Sequence, residues 1–322
     1  MPFATDSSFT SASVFLSPTG NTSQFQQQSE KSFVVISVPW KSSLNAKHNW
    51  RRVVDAQQDV LLRGTMSVQS TNDLVNELAS IRLFEVPIAS VTMKQAVRLV
   101  EDCILHRKRL DIGVVNAAKV VAMQKDLMLR ESVLSSDVIF ADGQSLVWAA
   151  RLAGKHLPER VAGIDLMYAL LERGSQVGFK VYCLGAEEWV NARVAQKIRD
   201  DYPGVQLVGR RNGYFSATEE PEIAKEIADS CADILFVAMT SPLKENFMAR
   251  WGDAMNTTVT HGVGGSFDVF AGKIRRAPRI MQSLGLEWLF RVMQEPTRLW
   301  KRYLTSNFAF LRLLAKPSPP ER

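Results

Sequence analysis

Apolar runs of strand length alternate with helix-length segments along most of the chain. The runs lack polar alternation, which is typical of strands buried on both faces of a sheet. They cover residues 111–116, 138–141, 180–184, 206–208, 233–238 and 257–261. The helical segments cover residues 92–108, 117–130, 143–153, 165–176, 187–202, 219–231 and 242–255. This alternation predicts an α/β fold in which helices flank a parallel sheet.

The N-terminal part of the chain lacks this periodicity. Residues 1–32 contain twelve Ser or Thr and a glutamine-rich run, and we interpret them as disordered. A short strand is conceivable at 33–38, within a linker. We therefore expect a disordered tail and linker over 1–75 and a folded core over 76–272, which opens with an extended segment and a turn at 82–90.

Positive charge is concentrated near the C-terminus. Residues 273–316 contain ten Lys or Arg and two acids, which gives this segment a net charge of +8. The whole chain has a net charge of +6, so the remaining residues together carry −2. Apolar residues recur there at helical spacing beside the basic ones, and Pro296 predicts a break or kink. We expect residues 273–322 to form a basic amphipathic helical appendage. The pattern fits a helix in a membrane interface, and it also fits a helix packed on the core.

Composition narrows the class of protein. The chain has 46% hydrophobic and 22% charged residues, a balance that excludes a fully disordered chain, a collagen-like fibre and a disulfide scaffold. No apolar run reaches 18 residues, and the first ten residues do not read as a secretory signal. Cys103, Cys183 and Cys231 are far apart, and we expect three buried free thiols.

Polar or glycine residues follow the predicted strands, where a parallel sheet binds its ligand. Asn116, Asp142 and Gly185 each follow a strand, as do the segments 240–245 and 262–268. A carboxylate at a strand-to-helix corner can act as a general base. Glycine turns before helices can bind phosphate, although neither turn matches the dinucleotide fingerprint. The histidines show no metal-ligand spacing, so we predict no structural metal site.

Six ordered motifs give the chain a family resemblance. They occupy residues 141–143, 160–165, 212–215, 262–268, 276–278 and 285–291, the last followed by Glu295-Pro296. Together they resemble the WecG/TagA/CpsF glycosyltransferases over about residues 82–305. The resemblance implies a Rossmann-like core and an inverting, metal-independent transfer of sugar from a UDP-sugar to a polyprenyl-diphosphate-linked glycan in exopolysaccharide or cell-wall polymer synthesis.

The resemblance also implies where the reaction takes place and which residues carry it. Asp142 is the expected base, and no cofactor is expected besides the UDP-sugar donor. The expected acceptor-binding residues are Asn116, Arg160, Asp165, Arg276, Arg291 and Arg298. The expected nucleotide-sugar-binding residues are Gly185, Lys244, Glu245, Gly262, Gly264, Gly265 and Asp268. We expect the chain to bind the inner face of the cell membrane from the cytoplasm through residues 284–315, and to bind no nucleic acid; self-association stays open.

Two positions depart from the family pattern. Lys244 stands where the family commonly has a glutamine, and Val114 stands where it usually has a threonine. The transferred sugar therefore stays open between a glucosyl type and an N-acetylmannosaminyl type. Two other classes of protein fit parts of the pattern: a nicotinamide-dependent oxidoreductase, which would need a full glycine fingerprint, and a non-catalytic protein that binds a membrane or nucleic acid through its basic tail.

Overall fold

The computed structural model describes residues 71–315 of the chain. Most of the tail and linker interpreted over residues 1–75, with its candidate strand at 33–38, lies outside the described residues, as do residues 316–322. The first described element is a helix, α1 (Thr71–Asn76), which begins inside that segment. An antiparallel hairpin, β1 (Ser80–Leu83) and β2 (Val86–Ala89), then forms the expected extended segment and turn.

The predicted α/β fold is confirmed. Six parallel strands form one sheet in the order β4-β3-β8-β7-β5-β6. They are β3 (Leu110–Val115), β4 (Val138–Ala141), β5 (Lys180–Gly185), β6 (Gln206–Arg211), β7 (Ile234–Ala238) and β8 (Val259–Gly262). Strands β4, β7 and β8 are buried at every residue. The continuous apolar runs of β4 and β7 predicted this burial, whereas β8 also buries Thr260 and His261.

In the described chain up to residue 270, ten helices connect and cover the strands. Eight follow α1: α2 (Met93–Leu105), α3 (Ala117–Met123), α4 (Leu127–Leu134), α5 (Gln144–Leu152), α6 (Gly163–Val177), α7 (Glu188–Asp201), α8 (Glu220–Asp229) and α9 (Leu243–Met255). A short helix, α10 (Ser266–Phe270), follows β8. Thr92 caps α2 in a reciprocal capping box with Gln95.

Two details differ from the sequence-based expectations. The single helix expected over 117–130 is two helices, because the side chain of Asp126 accepts a hydrogen bond from the Leu129 N–H and starts α4. The expectation of three buried thiols was wrong for Cys231, which is exposed. Cys231 follows the last turn of α8 with a φ of 50°, a turn conformation that leaves its side chain at the surface.

Three helices complete the described chain: α11 (Arg279–Ser283), α12 (Glu287–Gln294) and α13 (Pro296–Leu314). The break predicted at Pro296 lies between α12 and α13. One face of α13 packs on the core, where the ring of Phe310 is 5.4 Å from that of Phe84. No helix within residues 71–315 has the length and hydropathy of a membrane span.

Candidate active site

The carboxyl edge of the parallel sheet gathers most of the predicted site residues. Asn116, Asp142 and Gly185 lie at the ends of β3, β4 and β5, and the segment 262–265 lies at the end of β8. The chain runs outward from β3 to β4 on one side and from β5 to β6 on the other. Strands β7 and β8 fill the interval between them, so the reversal of strand order lies beside this edge.

Asp142 accepts a hydrogen bond on each carboxylate oxygen. Its Oδ1 accepts from the backbone N–H of Gly163 at 2.8 Å, and its Oδ2 accepts from the Asn116 side chain at 3.3 Å. Gly163 is the first residue of the 15-residue helix α6, so the carboxylate sits where the helix dipole favours a negative charge. These donors fix the orientation of the carboxylate, and each oxygen keeps a lone pair for a substrate proton.

The imidazole ring of His261 contacts the first residue of the same helix, α6. It is fully buried in β8, and its Nε2 lies 3.0 Å from the carbonyl oxygen of Gly163. A carbonyl only accepts, so Nε2 carries the hydrogen, and Nδ1 is buried without a partner in the described part of the chain. Burial lowers the pKa of His261 to about 4, which keeps the ring neutral. The sequence placed His261 at a strand end but assigned it no role.

Lys244 and Glu245 form a buried cluster with a lysine that sequence reasoning missed. Lys119 Nζ lies 2.7 Å from Glu245 Oε1 and 2.6 Å from the carbonyl oxygen of Val114, and Lys244 Nζ contacts the same Glu245 oxygen. Burial by itself raises the pKa of Glu245, but Lys119 and Lys244 outweigh it and hold that pKa well below its usual range. Lys119 lies in the first turn after Asn116, and that position was the available signal.

The glycines of the two predicted phosphate-binding turns, at Gly185 and at residues 262–265, have different structural reasons to be glycine. Gly185 has a φ of +118°, and a Cβ there would lie 2.4 Å from the carbonyl oxygen of Ala238, so packing alone requires glycine. A Cβ at Gly262 would lie 3.2 Å from Lys244 Cε, so this glycine leaves room for the lysine stem. Gly264 has a φ of +55° with nothing nearer than 3.8 Å, which is the arrangement of an open turn.

Gly265 and Asp268 lie farther along the same turn and helix. Gly265 is exposed and caps α10. Asp268 Oδ1 lies 3.5 Å from Lys273 Nζ, and that lysine also bonds Glu187 at 2.8 Å. Asp268 is thus already paired with a basic residue in the described structure, beside the end of β5 and not beside Asp142.

An arginine cluster joins the first turn of α6 to the C-terminal helices. Arg276 Nη2 donates to Asp165 Oδ1 at 2.5 Å, and Arg160 Nη2 lies 3.6 Å from the other Asp165 oxygen. Arg160 also contacts Glu287 and donates to Gln282 Oε1 at 2.9 Å. Because Gly163 and Asp165 lie in the same turn, α6 connects the Asp142 carboxylate with this cluster.

The last two predicted arginines lie on the C-terminal helices. Arg291 is exposed at the end of α12. Arg298 lies on α13, and its side chain is outside the described set. Arg291 has no described contact with Asp142, Lys119, Lys244 or Glu245. Within residues 71–315, no group of three or more His, Cys, Asp or Glu side chains is arranged to hold a metal ion.

Comparison with known proteins matches residues 81–321 to the model of the "Glycosyl transferase WecG/TagA/CpsF family". A curated relative from Bacillus spizizenii is 37% identical over 194 residues, which cover 58% of this chain and 74% of the relative. That relative is named N-acetylglucosaminyldiphosphoundecaprenol N-acetyl-beta-D-mannosaminyltransferase. The region that matches the family model, residues 81–321, contains the sheet, the arginine cluster and the three C-terminal helices.

Proposed function

The chain belongs to the WecG/TagA/CpsF family of glycosyltransferases, and from that premise we propose that it moves a sugar from a UDP-sugar to a glycan linked to polyprenyl diphosphate. The enzyme class rests on family membership, which disfavours the oxidoreductase and the non-catalytic binding protein. The lipid-linked acceptor is proposed from the name of the Bacillus relative. The product would enter an exopolysaccharide or a cell-wall polymer.

The observation that carries the proposed mechanism is the position of Asp142. Its carboxylate is half-buried at the carboxyl edge of the sheet, oriented by Gly163 and Asn116. In the proposed reaction an acceptor hydroxyl gives its proton to Asp142 as its oxygen bonds to the anomeric carbon. The bond from that carbon to the donor diphosphate breaks, and UDP leaves with the electron pair from the opposite face, which inverts the anomeric centre.

The departing diphosphate needs positive charge or N–H donors. Lys244 lies against Gly262 and beside the open turn at Gly264, so it can supply charge from the protein itself. We propose that Arg160 and Arg276, which lie on the Asp142 side with Asp165, serve the acceptor diphosphate. In this division Lys244 serves the donor, the two arginines serve the acceptor, and the reaction needs no metal ion.

A second part of the proposal concerns the membrane. Helix α13 keeps a stripe of apolar residues exposed on the face away from the core: Trp300, Leu304, Phe308 and Leu311. Exposed Lys301 and Arg312 lie beside these rings, with Arg312 4.3 Å from the centroid of Phe308. An exposed apolar stripe with flanking cations suits the interface of an anionic bilayer. We propose that residues 284–315 hold the enzyme on the inner face of the cell membrane.

The test is transfer to a lipid acceptor. A panel of radiolabelled UDP-sugars is incubated with polyprenyl-diphosphate-linked N-acetylglucosamine in vesicles, and the lipid fraction is counted. We expect one donor to label the lipid, and Asp142→Asn to remove most of that label. Absence of label from every donor with folded enzyme would contradict the proposed substrates. Unchanged label with Asp142→Asn would contradict the proposed base.

The contacts of the C-terminal helices decide how the membrane part is tested. Truncation before Leu284 removes Glu287 from Arg160 and Phe310 from the core, so it disturbs the folded body as well as the exposed stripe. Substitutions confined to exposed stripe residues separate the two roles, because those side chains contribute little to the core.

A further inference from the structure

Two buried lysines share one carboxylate at the donor side of the proposed site. The side chains of Lys119, Lys244 and Glu245 are 9%, 7% and 7% exposed. Both ammonium groups contact the same oxygen, Glu245 Oε1. When all three groups are ionised, the cluster holds a surplus of one positive charge. Burying a charge without a partner of opposite sign costs free energy, so an anion that binds next to the surplus positive charge would be stabilised.

The surroundings do not neutralise the surplus. From β3, Asp111 faces the same small cavity, but it pairs with Arg109 at 2.5 Å. From β8, His261 is neutral, because burial lowers its pKa to about 4. Asp142, the remaining acid that acts on His261, is bonded to Gly163 and Asn116. The other neighbours, among them Met248, Gly262 and Ser132, are uncharged.

The cluster also has unused hydrogen-bonding groups. Among the described residues, Lys244 Nζ has one acceptor, the Glu245 oxygen, so two of its three N–H groups are free. Glu245 Oε2 is buried and has no donor in that same part of the chain. Free cationic donors beside a free acceptor match a ligand that carries an anionic group next to a hydroxyl, as a sugar nucleotide does.

The direction of approach follows from the space on either side of Lys244. The cavity behind it, between β3, α4 and α9, has a volume of about 20 Å³, which is close to the space that one water molecule needs. A phosphoryl or carboxylate group does not fit there. On the other side, the Lys244 stem lies beside Gly262 and Gly264. Gly264 is half-buried, and the next residue, Gly265, is exposed. An anion therefore reaches Lys244 from the turn at 262–265.

We propose that Lys119, Lys244 and Glu245 form an anion subsite for the donor, in which the protonated Lys244 binds the anionic group, Glu245 holds Lys244 in place and Lys119 keeps Glu245 ionised. The inference rests on the proposed function, because the donor is the anionic ligand of this edge. The anionic group is either the donor diphosphate or a carboxylate on the donor sugar. Binding then requires that Lys244 carry its proton.

A pH series of donor affinity tests the subsite. Burial, followed by repulsion from Lys119, lowers the pKa of Lys244 to about 8. If only the protonated form binds, the Kd for UDP-glucuronic acid, which carries both a diphosphate and a sugar carboxylate, should rise about tenfold between pH 7 and pH 9 in the wild type. Lys244→Arg should bind with little change over this range, because arginine stays charged, and it also controls for ionisation of the ligand itself. Lys244→Met should bind weakly at both pH values.

Three ligands identify the source of the anion. UDP, UDP-glucose and UDP-glucuronic acid share the nucleotide, and only the last has a sugar carboxylate. If the diphosphate meets Lys244, all three should show the pH dependence that Lys244→Arg removes. If the sugar carboxylate meets Lys244, only UDP-glucuronic acid should show it. With UDP-glucuronic acid, the same pH dependence in the wild type and Lys244→Arg, or wild-type affinity in Lys244→Met at pH 7, would overturn the subsite.

A second measurement needs no variant. Calorimetric titration with UDP-glucuronic acid, at pH 7 and at pH 9 in two buffers of different ionisation enthalpy, counts the protons taken up on binding. The subsite predicts close to one proton at pH 9 and close to zero at pH 7. No uptake at either pH would overturn the subsite while leaving the donor assignment standing. Failure of every UDP ligand to bind the folded enzyme would instead contradict the proposed function, and the subsite with it.

Discussion

The parallel sheet and the last helix, α13, differ in how completely they bury their apolar residues. Every residue of β7 is buried, and its side chains are covered by helices of the same chain. Helix α13 buries Leu299 and Phe310 but leaves Trp300 48%, Phe308 56% and Leu304 63% exposed. The apolar side chains of the sheet are covered by the protein itself, whereas those of α13 are covered on one face of the helix only.

This difference separates two tasks. The sheet needs no outside partner, so its carboxyl edge can hold Asp142 and the lysine cluster in a fixed geometry for chemistry. The exposed face of α13 leaves apolar surface in contact with water. This contact is unfavourable unless another surface covers the face. We propose that the core transfers the sugar and that α13 brings the core to the lipid that carries the acceptor.

The largest expected effect concerns the core. Asp142→Asn removes the proposed base but keeps an acceptor for the Gly163 N–H, so kcat should fall by about 10²-fold or more while UDP affinity stays within a few-fold. Asp126→Asn is the matched control, since it alters a carboxylate that caps α4 away from the sheet edge. Steady-state transfer and UDP binding measure both. Equal kcat values for the two variants would remove Asp142 from the mechanism.

Phe310 and Phe308 compare the two faces of α13 directly. Phe310 is 5% exposed, so Phe310→Ala should lower the free energy of unfolding by about 3–5 kcal/mol. Phe308→Ala should change it by no more than about 0.5 kcal/mol but reduce sedimentation with anionic vesicles. Denaturant unfolding and vesicle sedimentation measure the pair. A large loss of stability with Phe308→Ala would place that residue in the core instead.

A smaller effect is expected from the buried imidazole. The folded-state pKa of His261 is about 4, against an ordinary value of 6.5, so the unfolded state binds the proton more readily. Stability from the neutral ring is present above pH 6.5 and is lost as the pH falls toward 4. The wild type should lose about 2 kcal/mol more than His261→Gln between pH 6.5 and pH 4.5. His106→Gln, at the exposed end of α2, controls for the loss of one histidine. Parallel slopes for the wild type and His261→Gln would contradict this role.

The smallest effect compares two glycines with positive φ. Gly264 and Gly272 have φ values of +55° and +83°, and neither has an atom within 3.5 Å of a built Cβ. Alanine at either position should therefore cost about 1–2 kcal/mol of backbone strain. Only Gly264→Ala should also weaken UDP binding, because Gly264 lies beside Lys244. Equal UDP affinity in the two variants would place the nucleotide away from this turn.

The order of elements and the carboxyl-edge positions could be predicted from the sequence. Uninterrupted apolar runs predict strands buried on both faces, and parallel strands bring residues such as Asn116 and Asp142 to one edge. The pairing of Lys119 with Glu245 could not be predicted in the same way, because the two residues lie 126 positions apart and only the folded chain brings their helices, α3 and α9, together.

The helical periodicity of the C-terminal segment had a similar limit. It predicted apolar residues on a helix, but not that Leu299 and Phe310 face the core while Trp300 and Phe308 face water. Gly185 shows the reverse case, in which a glycine expected at a phosphate turn is required by the backbone of Ala238. Local pattern gives the element and its spacing, whereas the neighbour that a side chain meets depends on the packing of distant elements.

The division of tasks between the core and α13 is tested most directly by one transfer assay with two acceptors. The enzyme is given the same sugar diphosphate either on a long polyprenyl chain in anionic vesicles or on a short, water-soluble chain. We predict that the double variant Leu304→Ser, Phe308→Ser loses most transfer to the vesicle acceptor and keeps the wild-type rate with the soluble one, whereas Asp142→Asn loses both. Equal losses with the two acceptors in the double variant would show that this face of α13 serves the chemistry or the fold, not the membrane.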